Sequence, residues 1–341
     1  MPIKRVQEAI EEIKKGNMVI MVDDEDRENE GDLVYAATFS TPEKVNFLAS
    51  EAKGLICVAL EKEAAKKLEL NPMVPQNTSS YETAFTVSVD AKGAATGISA
   101  GERDMTIKLL ADMHTKADDL VRPGHIFPLI AKDGGVLNRI GHTEGSVDLC
   151  KMAGVAPVGV ICEIMKADGT MARRDDLDIF AKKHNLKIVQ IADLIEYRMQ
   201  RESLIKETAR ESIEFFDHPV EKIDFTDHLS RNHTVILFGE AKATANVKFH
   251  NICKDITFLQ NTEQFNGVLK AIEYLKANGG MMVFMDNTMV NDTAIKEFGI
   301  GAQILTSLGV EQIHLIATKK ISELHGLGGF NLTVIDEIIL K

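Results

Sequence analysis

The feature that most constrains this chain is an acidic run between two apolar segments, MVDDEDRENEGDLVYAA at residues 21–37. Seven carboxylates stand there beside one arginine, Arg27, so the like charges repel one another unless cations offset them. The apolar stretch on each side predicts a buried strand, which would anchor the run beside the core. Since Mg²⁺ prefers carboxylate oxygens as ligands, a magnesium site is one interpretation. A solvated acidic loop is the other.

Length and composition restrict the class of protein. The 341 residues are 45% hydrophobic, which is enough for a core and for two domains. The net charge of −12 argues against a general nucleic-acid binder, because such a protein needs a basic surface. The four cysteines form neither a zinc-type pair nor a disulfide framework, and no apolar run is long enough to span a bilayer. We therefore expect a soluble cytoplasmic protein that binds neither nucleic acid nor membrane.

Helix and strand patterns alternate along the chain, which predicts an α/β (α+β) fold. A first helix presents Val6, Ile10 and Ile13 on one face and ends at Gly16. Thr41 is the expected cap of a second helix. Strict parallel winding of the sheet does not follow from the pattern alone.

The composition becomes highly charged near residue 200, where residues 195–234 are interpreted as a helix end and a connector. We therefore divide the chain into a domain at 1–204 and a second, smaller α/β domain at 205–341. In the second, TVILFGEA, MMVFMD and IHLIAT predict strands, and residues 263–277 and 295–308 predict helices.

The stretch RIGHTEGS, at residues 139–146, precedes a predicted helix. A helix N-terminus attracts anions, Thr143 could cap it, and Arg139 could bind a phosphate through its guanidinium. His142 could serve as a metal ligand or as a base. The alternative is an ordinary capping threonine beside an exposed histidine.

Two further motifs carry acid/base candidates. In RPGHIFPL a Pro-Gly turn aims His125, and in VGVICEIM a carboxylate, Glu163, lies among apolar strand residues. A surface histidine and a solvent-facing strand-end glutamate are the alternatives. The stretch TGISAGERDMTI would also suit a phosphate, although an ordinary helix start explains it as well. Together the motifs indicate metal-dependent enolisation of a sugar phosphate, and the residues alone go no further.

The motifs DDEDRENEGD, TGISAGER, RPGHIFPL, RIGHTEGSVDL and ICEIM, in this order over residues 1 to about 200, resemble 3,4-dihydroxy-2-butanone 4-phosphate synthase. The resemblance implies a mixed-sheet synthase domain acting on D-ribulose 5-phosphate to give the dihydroxybutanone phosphate and formate in riboflavin biosynthesis. It also implies Mg²⁺, with Mn²⁺ as a substitute, and a homodimer with shared active sites.

The resemblance assigns roles to individual residues. Glu28 and His142 match the metal ligands, and His125 and Glu163 match the two positions that the family requires for catalysis. The implied substrate-binding residues are Arg27, Glu28, Asp32, Arg139, His142, Thr143 and Glu163, with Arg139 and Thr143 as the phosphate-binding pair. Glu102 replaces the family's usual aspartate, which is a conservative change.

The second domain resembles GTP cyclohydrolase II through residues 298–318 and through VKFHNIC. That enzyme requires three zinc thiolates, whereas Cys253 is the last cysteine of this chain. We therefore expect no zinc and an inactive second domain. The alternatives are another metal-dependent sugar-phosphate isomerase or aldolase, a bifunctional protein retaining the cyclohydrolase activity, and a non-catalytic scaffold.

Overall fold

The chain folds into two compact units, Met1–Tyr197 and Arg198–Lys341, in a computed structural model that describes residues 2–24, 27–286, 294–317 and 332–340. The sequence interpretation placed this division after residue 204. Each unit contains one mixed sheet with helices, so the expected α/β (α+β) class is confirmed. In the described part of the chain, no helix has the length and apolar character needed to cross a bilayer.

The sheet of the first unit has seven strands in the order β4-β5-β3-β6-β2-β1-β7. The pairs β1–β7 and β3–β5 are parallel and the others are antiparallel. The strands are β1 (Val19–Val22), β2 (Gly31–Ala36), β3 (Cys57–Glu61), β4 (Val89–Ala91), β5 (Leu120–Ala131), β6 (Val158–Glu163) and β7 (Lys187–Gln190). The helices are α1 (Pro2–Lys14), α2 (Pro42–Phe47), α3 (Lys62–Lys67), α4 (Ala100–Ala111), α5 (His142–Met152), α6 (Arg174–His184) and α7 (Ile191–Met199).

Local patterns account for the elements that flank the acidic run. Val6, Ile10 and Ile13 are buried on one face of α1, as predicted. Every residue of β1 and β2 is buried, so the run between them is anchored at both ends. Thr41 caps α2 by accepting the N–H of Lys44 at 3.3 Å.

The strand register of the first unit assembles the site. Antiparallel pairing of β2 with β6 sets Asp32 opposite Glu163, although the two are far apart in sequence. Because residues directly opposite in an antiparallel pair lie about 5 Å apart, both carboxylates belong to one end of the sheet. The thiols of Cys57, Cys150 and Cys162 are buried in this unit, as their apolar surroundings indicated.

Within its described residues, the second unit has a seven-stranded sheet in the order β14-β13-β11-β12-β10-β9-β8. Its strands are β8 (Ile205–Glu214), β9 (Pro219–Asp227), β10 (Asn232–Phe238), β11 (Thr244–Asn251), β12 (Gly280–Met285), β13 (Gln312–Ala317) and β14 (Thr333–Ile339). Its helices are α8 (Asp255–Gln260), α9 (Thr262–Asn278) and α10 (Ala294–Ser307). The three predicted strands and two predicted helices correspond to β10, β12, β13, α9 and α10; Thr318, the last residue of the predicted IHLIAT strand, lies outside the described residues.

Residues 195–234 were expected to form a helix end and a connector; the helix end is confirmed by α7, which ends at Met199, but the connector is wrong. That segment contains β8 and β9, which pair antiparallel as a hairpin. Most of β8 is exposed on both faces. Its residues therefore need not alternate between apolar and polar, because along most of its length neither face packs against a core. Without that period of two, a strand cannot be distinguished from a charged connector.

Candidate active site

The expected site residues, except His125, line one cavity of about 160 Å³ in the first unit. The cavity lies where β2, β3, β5 and β6 meet the start of α5. Its lining comprises Arg27, Glu28, Glu30, Asp32, Cys57, Thr83, Phe85, Leu129, Arg139, His142, Thr143, Ile161 and Glu163.

The acidic loop folds around the buried carboxylate of Asp23. One Asp23 oxygen accepts the N–H of Glu30 at 2.8 Å, and the other accepts the N–H of Glu28 at 3.2 Å and Nη1 of Arg27 at 2.8 Å. The side chain of Asp23 therefore organises the loop by binding the backbone N–H groups of other loop residues. Glu25 and Asp26 of the same run lie outside the described residues.

Two arginines offset the repulsion within the loop, Arg27 through Glu28 and Arg173 through Glu30, which lies 3.7 Å away. Arg27 also contacts Glu28 Oε2 at 2.8 Å, as expected for the arginine within the run. The second is Arg173, just before α6, which donates to the carbonyl oxygens of Glu28, at 2.6 Å, and of Asn29. Arg173 is 145 residues away from Glu28 in sequence, so no local pattern could have revealed it.

Tyr81 is a further contact that the sequence did not reveal. Its hydroxyl donates to the carbonyl of Arg27 at 3.1 Å, and the guanidinium of Arg27 lies 5.1 Å from the ring centroid. A cation over an aromatic face is attracted by the ring quadrupole. The acidic loop is therefore held from two sides, by Arg173 and by Tyr81.

His142 is the centre of the charged cluster. Its Nδ1 lies 3.8 Å from Glu28 Oε2, and its Nε2 lies 4.0 Å from Asp32 Oδ1. Burial opposes a charged imidazole, but Asp32 and Glu28 outweigh it and raise the pKa of His142. Burial, together with Glu163 and Glu28, raises the pKa of Asp32.

The donor set fits a hard divalent cation. Ligand atoms of Asp23, Glu28 and His142 lie within 4.8 Å of one another. Both Asp23 oxygens accept hydrogen bonds from the loop, whereas Glu28 and His142 line the cavity and are the two residues expected as metal ligands. Mg²⁺ is commonly held by one or two protein groups, with waters and substrate oxygens completing the octahedron. A divalent ion there would take the place of the proton on His142.

The start of α5 is open toward the cavity. Gly141 is the N-cap and makes no side-chain cap hydrogen bond, so the expected capping by Thr143 does not occur. The reason is register, because Thr143 is the second residue of α5 and already has helical geometry. Arg139 reaches the same place, with Nη1 2.6 Å from the buried Glu144 and Nη2 2.8 Å from the carbonyl of Tyr81.

Glu163 ends β6 at the rim of the cavity. One carboxylate oxygen accepts the N–H of Leu55 at 2.8 Å. A Cβ on Gly54 would come within 2.6 Å of that same oxygen, so only glycine allows this approach. Glu163 therefore has the hydrogen-bond partner that a carboxylate in an apolar strand requires.

His125 is not part of this cavity. It lies on β5, four residues before the lining residue Leu129, or about 13 Å along an extended strand. Its ring Nδ1 is 2.7 Å from Asp90.

A mixed α/β unit that gathers carboxylates, a histidine and an arginine at a helix N-terminus is the arrangement expected of metal-dependent enzymes that act on phosphorylated small molecules. The comparisons with known proteins specify the family. The profile described as 3,4-dihydroxy-2-butanone 4-phosphate synthase matches residues 7–197, and the one described as GTP cyclohydrolase II matches residues 256–339. The chain belongs to the 3,4-dihydroxy-2-butanone 4-phosphate synthase family, which confirms the resemblance and the expected role in riboflavin biosynthesis.

Two of the relatives cover nearly the whole chain, and a third covers little more than its first unit. A 3,4-dihydroxy-2-butanone 4-phosphate synthase from Sulfurospirillum multivorans is 59% identical, over 98% of this chain and 94% of its own length. A two-domain synthase structure from A. baumannii is 40% identical with a TM-score of 0.85, covering 98% of this chain and 99% of its own. A synthase structure in complex with two magnesium ions is 39% identical with a TM-score of 0.55, covering 57% of this chain and 97% of its own.

Proposed function

We propose that the first unit converts D-ribulose 5-phosphate into 3,4-dihydroxy-2-butanone 4-phosphate and formate. The observation that carries the proposal is the convergence of Glu28, Asp32, His142 and Glu163 on one cavity beside Arg139. A sugar phosphate would place its phosphate at Arg139 and the first turn of α5, where N–H groups and the helix dipole favour an anion. Its carbonyl and hydroxyl end would then face the carboxylates.

Glu28 and His142 hold the divalent cation, Mg²⁺ or Mn²⁺, in this proposal. Such an ion supplies Lewis-acid stabilisation of the enediolate that forms when a proton leaves the carbon beside the carbonyl. Glu163 and His125 are the proposed acid/base groups that move protons, and Asp32 contacts the substrate. Positioned acid/base groups contribute about 10²–10⁴-fold each. Arg27 and Arg173 hold the acidic loop so that Glu28 stays in place.

The proposed assembly is a homodimer of two chains with shared active sites. His125 lies outside the cavity of its own chain, so it would serve the cavity of a second copy. Exposed apolar side chains support this arrangement. Leu55, 41% exposed, adjoins Glu163, while Ile98 and Val121, 52% and 43% exposed, adjoin the His125 region. Apolar residues at both places indicate a surface that pairs with another chain.

Mixed dimers test the sharing. In a dimer of His125→Ala with Glu163→Gln chains, one of the two sites would contain both functional residues. By the symmetry of such a dimer, equimolar mixing after unfolding and refolding should restore about 25% of wild-type turnover. No recovery above the separate variants would mean that each site uses its own His125.

Formate release is the direct test of the reaction. Purified full-length protein should release formate from ribulose 5-phosphate with Mg²⁺ or Mn²⁺, and the release should stop when EDTA is added. Consumption of the sugar phosphate without formate would contradict the proposal and indicate another isomerase or aldolase.

We also propose that the second unit has no GTP cyclohydrolase activity and holds no catalytic zinc. Such a site needs three protein ligands and an open position, whereas Cys253 is the only thiol after residue 162. The ring of His250 packs between the rings of Phe258 and Phe284, with centroid distances of 5.1 and 5.4 Å, so its surroundings are aromatic. Incubation with GTP, Mg²⁺ and added Zn²⁺ should release no formate. The unit's proposed role is structural, and the proposed compartment is the cytoplasm.

A further inference from the structure

Asp90 and His125 form a tight pair on neighbouring strands. Asp90 is 6% exposed, and one of its oxygens accepts the backbone N–H of His125 at 2.8 Å. The other oxygen lies 2.7 Å from Nδ1 of the same residue. The His125 side chain is 44% exposed, and its remaining nitrogen, Nε2, is not the one that contacts Asp90. Both the backbone and the ring of His125 are thus fixed by one buried carboxylate.

The backbone around the pair is built to fit it. A Cβ on Gly97 would lie 1.9 Å from Asp90 Oδ2 and 2.7 Å from His125 Nδ1, and Gly97 has φ +81°. A Cβ on Gly124 would lie 2.0 Å from the carbonyl carbon of Val89. Glycine is therefore required at both places, because Gly97 packs against the Asp90 carboxylate and Gly124 packs against the backbone between Val89 and Asp90.

The loop that carries Gly97 is itself anchored. Glu102 accepts the N–H groups of Ala95 and Thr96, at 2.6 and 3.1 Å, and the hydroxyl of Ser99 at 2.9 Å. The sequence left the motif TGISAGER open between a phosphate site and a helix start. In the structure the motif caps α4 and positions Gly97 against Asp90 and His125. The same hydrogen bonds lower the pKa of Glu102 to about 2.

An ionised carboxylate only accepts hydrogen bonds, so the proton of a neutral His125 ring resides on Nδ1. Nε2 then carries a free lone pair. We propose that Asp90 is a positioning residue that fixes the ring orientation and this tautomer of His125, so that Nε2 is offered to the substrate as a proton acceptor. The inference rests on the proposed function, because it assigns His125 a place in that reaction.

Substitution of Asp90 by Asn is the central test, because an amide can stabilise the opposite tautomer. Asp90→Asn should lower kcat by about 10²–10⁴-fold and change KM by less than about threefold. Asp90→Glu should recover part of the loss because it restores a carboxylate. The matched control is Asp336→Asn, since Asp336 lies 2.6 Å from Nδ1 of His314 in the second unit. That variant should keep wild-type kcat and KM.

A second measurement separates positioning from a purely structural role. In a His125→Ala background, Asp90→Asn should cause no further loss of kcat, because Asp90 acts only through the ring. An additional loss of tenfold or more would overturn the proposal, as would wild-type kcat in Asp90→Asn alone.

Nitrogen-15 NMR of the imidazole provides a readout that is independent of turnover. The wild-type His125 ring should show a protonated Nδ1 and an unprotonated Nε2 at a pH where the ring is neutral, and Asp90→Asn should lose that preference. A wild-type ring protonated on Nε2 would contradict the proposal. If the wild-type protein releases no formate but shows the expected tautomer, the proposed reaction fails while the positioning of His125 by Asp90 stands.

Discussion

Asp32 Oδ1 and His142 Nε2 face each other across 4.0 Å, and neither atom has a hydrogen-bond partner within the described residues. Both residues are buried. Leaving a buried polar atom unsatisfied costs about 1–3 kcal/mol, and more for a charged group. A ligand that bonded to both atoms would recover that cost. The gap between them is therefore the place where binding energy is available.

The two proposed metal ligands should differ in how well excess metal compensates for their loss. Glu28→Gln removes a charge and should weaken Mn²⁺ binding more than His142→Ala, because a hard cation depends on the carboxylate. We expect both to weaken binding by about 100-fold or more. Electron paramagnetic resonance of free Mn²⁺ measures this directly, and raised Mg²⁺ should partly restore formate release only in His142→Ala. Wild-type turnover in metal-free buffer would contradict a metal role.

Loss of Arg139 should act mainly on substrate binding. Arg139→Ala deletes a charge-assisted contact with the phosphate, worth about 1.5–3 kcal/mol, so KM should rise by about 10–100-fold while kcat falls much less. Arg139→Lys should recover part of the loss through its charge. A variant with normal KM and low kcat would instead place Arg139 at the reacting carbons.

Arg173 should stabilise the metal-binding conformation of the acidic loop. Arg173→Ala frees the carbonyls of Glu28 and Asn29 and should weaken Mn²⁺ binding by about tenfold, since the contact is partly exposed. The control is Arg174→Ala, because the ion pair of Arg174 is with Asp178 in its own helix, at 3.6 Å. Limited proteolysis should cleave the loop faster in Arg173→Ala alone. Equal effects of the two substitutions would show that the contacts of Arg173 with the loop carbonyls do not stabilise its metal-binding conformation.

The second unit should depend on a buried ion cluster at the β9–β10 turn. Asp227 accepts Nε of Arg231 at 2.6 Å and lies 3.4 Å from Nε2 of His233. Breaking such a pair costs about 3–5 kcal/mol, so Asp227→Asn should strongly accelerate hydrogen exchange in β9 and β10. Asp224→Asn, on the same strand but partly exposed, should cost less than about 1 kcal/mol. Similar exchange in both variants would show that the cluster is not needed.

The same cluster sets a pH dependence. Burial opposes ionisation of Asp227, but the neighbouring His233 and the hydrogen bonds from Arg231 outweigh it and hold the pKa of Asp227 well below the ordinary value. Its stabilisation is therefore complete above the unfolded-state pKa of about 3.9 and is lost as the pH falls toward the lower folded-state value. Exchange in β9 and β10 should accelerate more steeply below pH 4 in the wild type than in Asp227→Asn. Parallel profiles would contradict this linkage.

Sequence reasoning succeeded where the signal is local. The buried face of α1 follows from Val6, Ile10 and Ile13, because helical periodicity operates over a few residues. It did not reveal the hairpin of β8 and β9, since an exposed strand has no apolar alternation. It also could not supply the pairing of Asp32 with Glu163, because register between distant strands depends on the whole sheet.

Sequence reasoning proposed candidate residues for the site but did not reveal the residues that hold them in place. Glu28, His142 and Arg139 were recognisable because their residue types and motifs carry chemistry. Arg173 and Asp90 were not, since each acts through contacts with a distant segment and neither belongs to a recognisable local pattern.

The distribution of thiols has a practical consequence. Burial raises the pKa of Cys57, Cys150 and Cys162, whereas Cys253 in the second unit is partly exposed. Because alkylating reagents attack thiolates, the native chain should take up a maleimide dye at Cys253 first. A fluorophore could thus be attached to the second unit without mutating any residue of the catalytic unit. The wild-type protein would then suffice for tracking assembly by fluorescence.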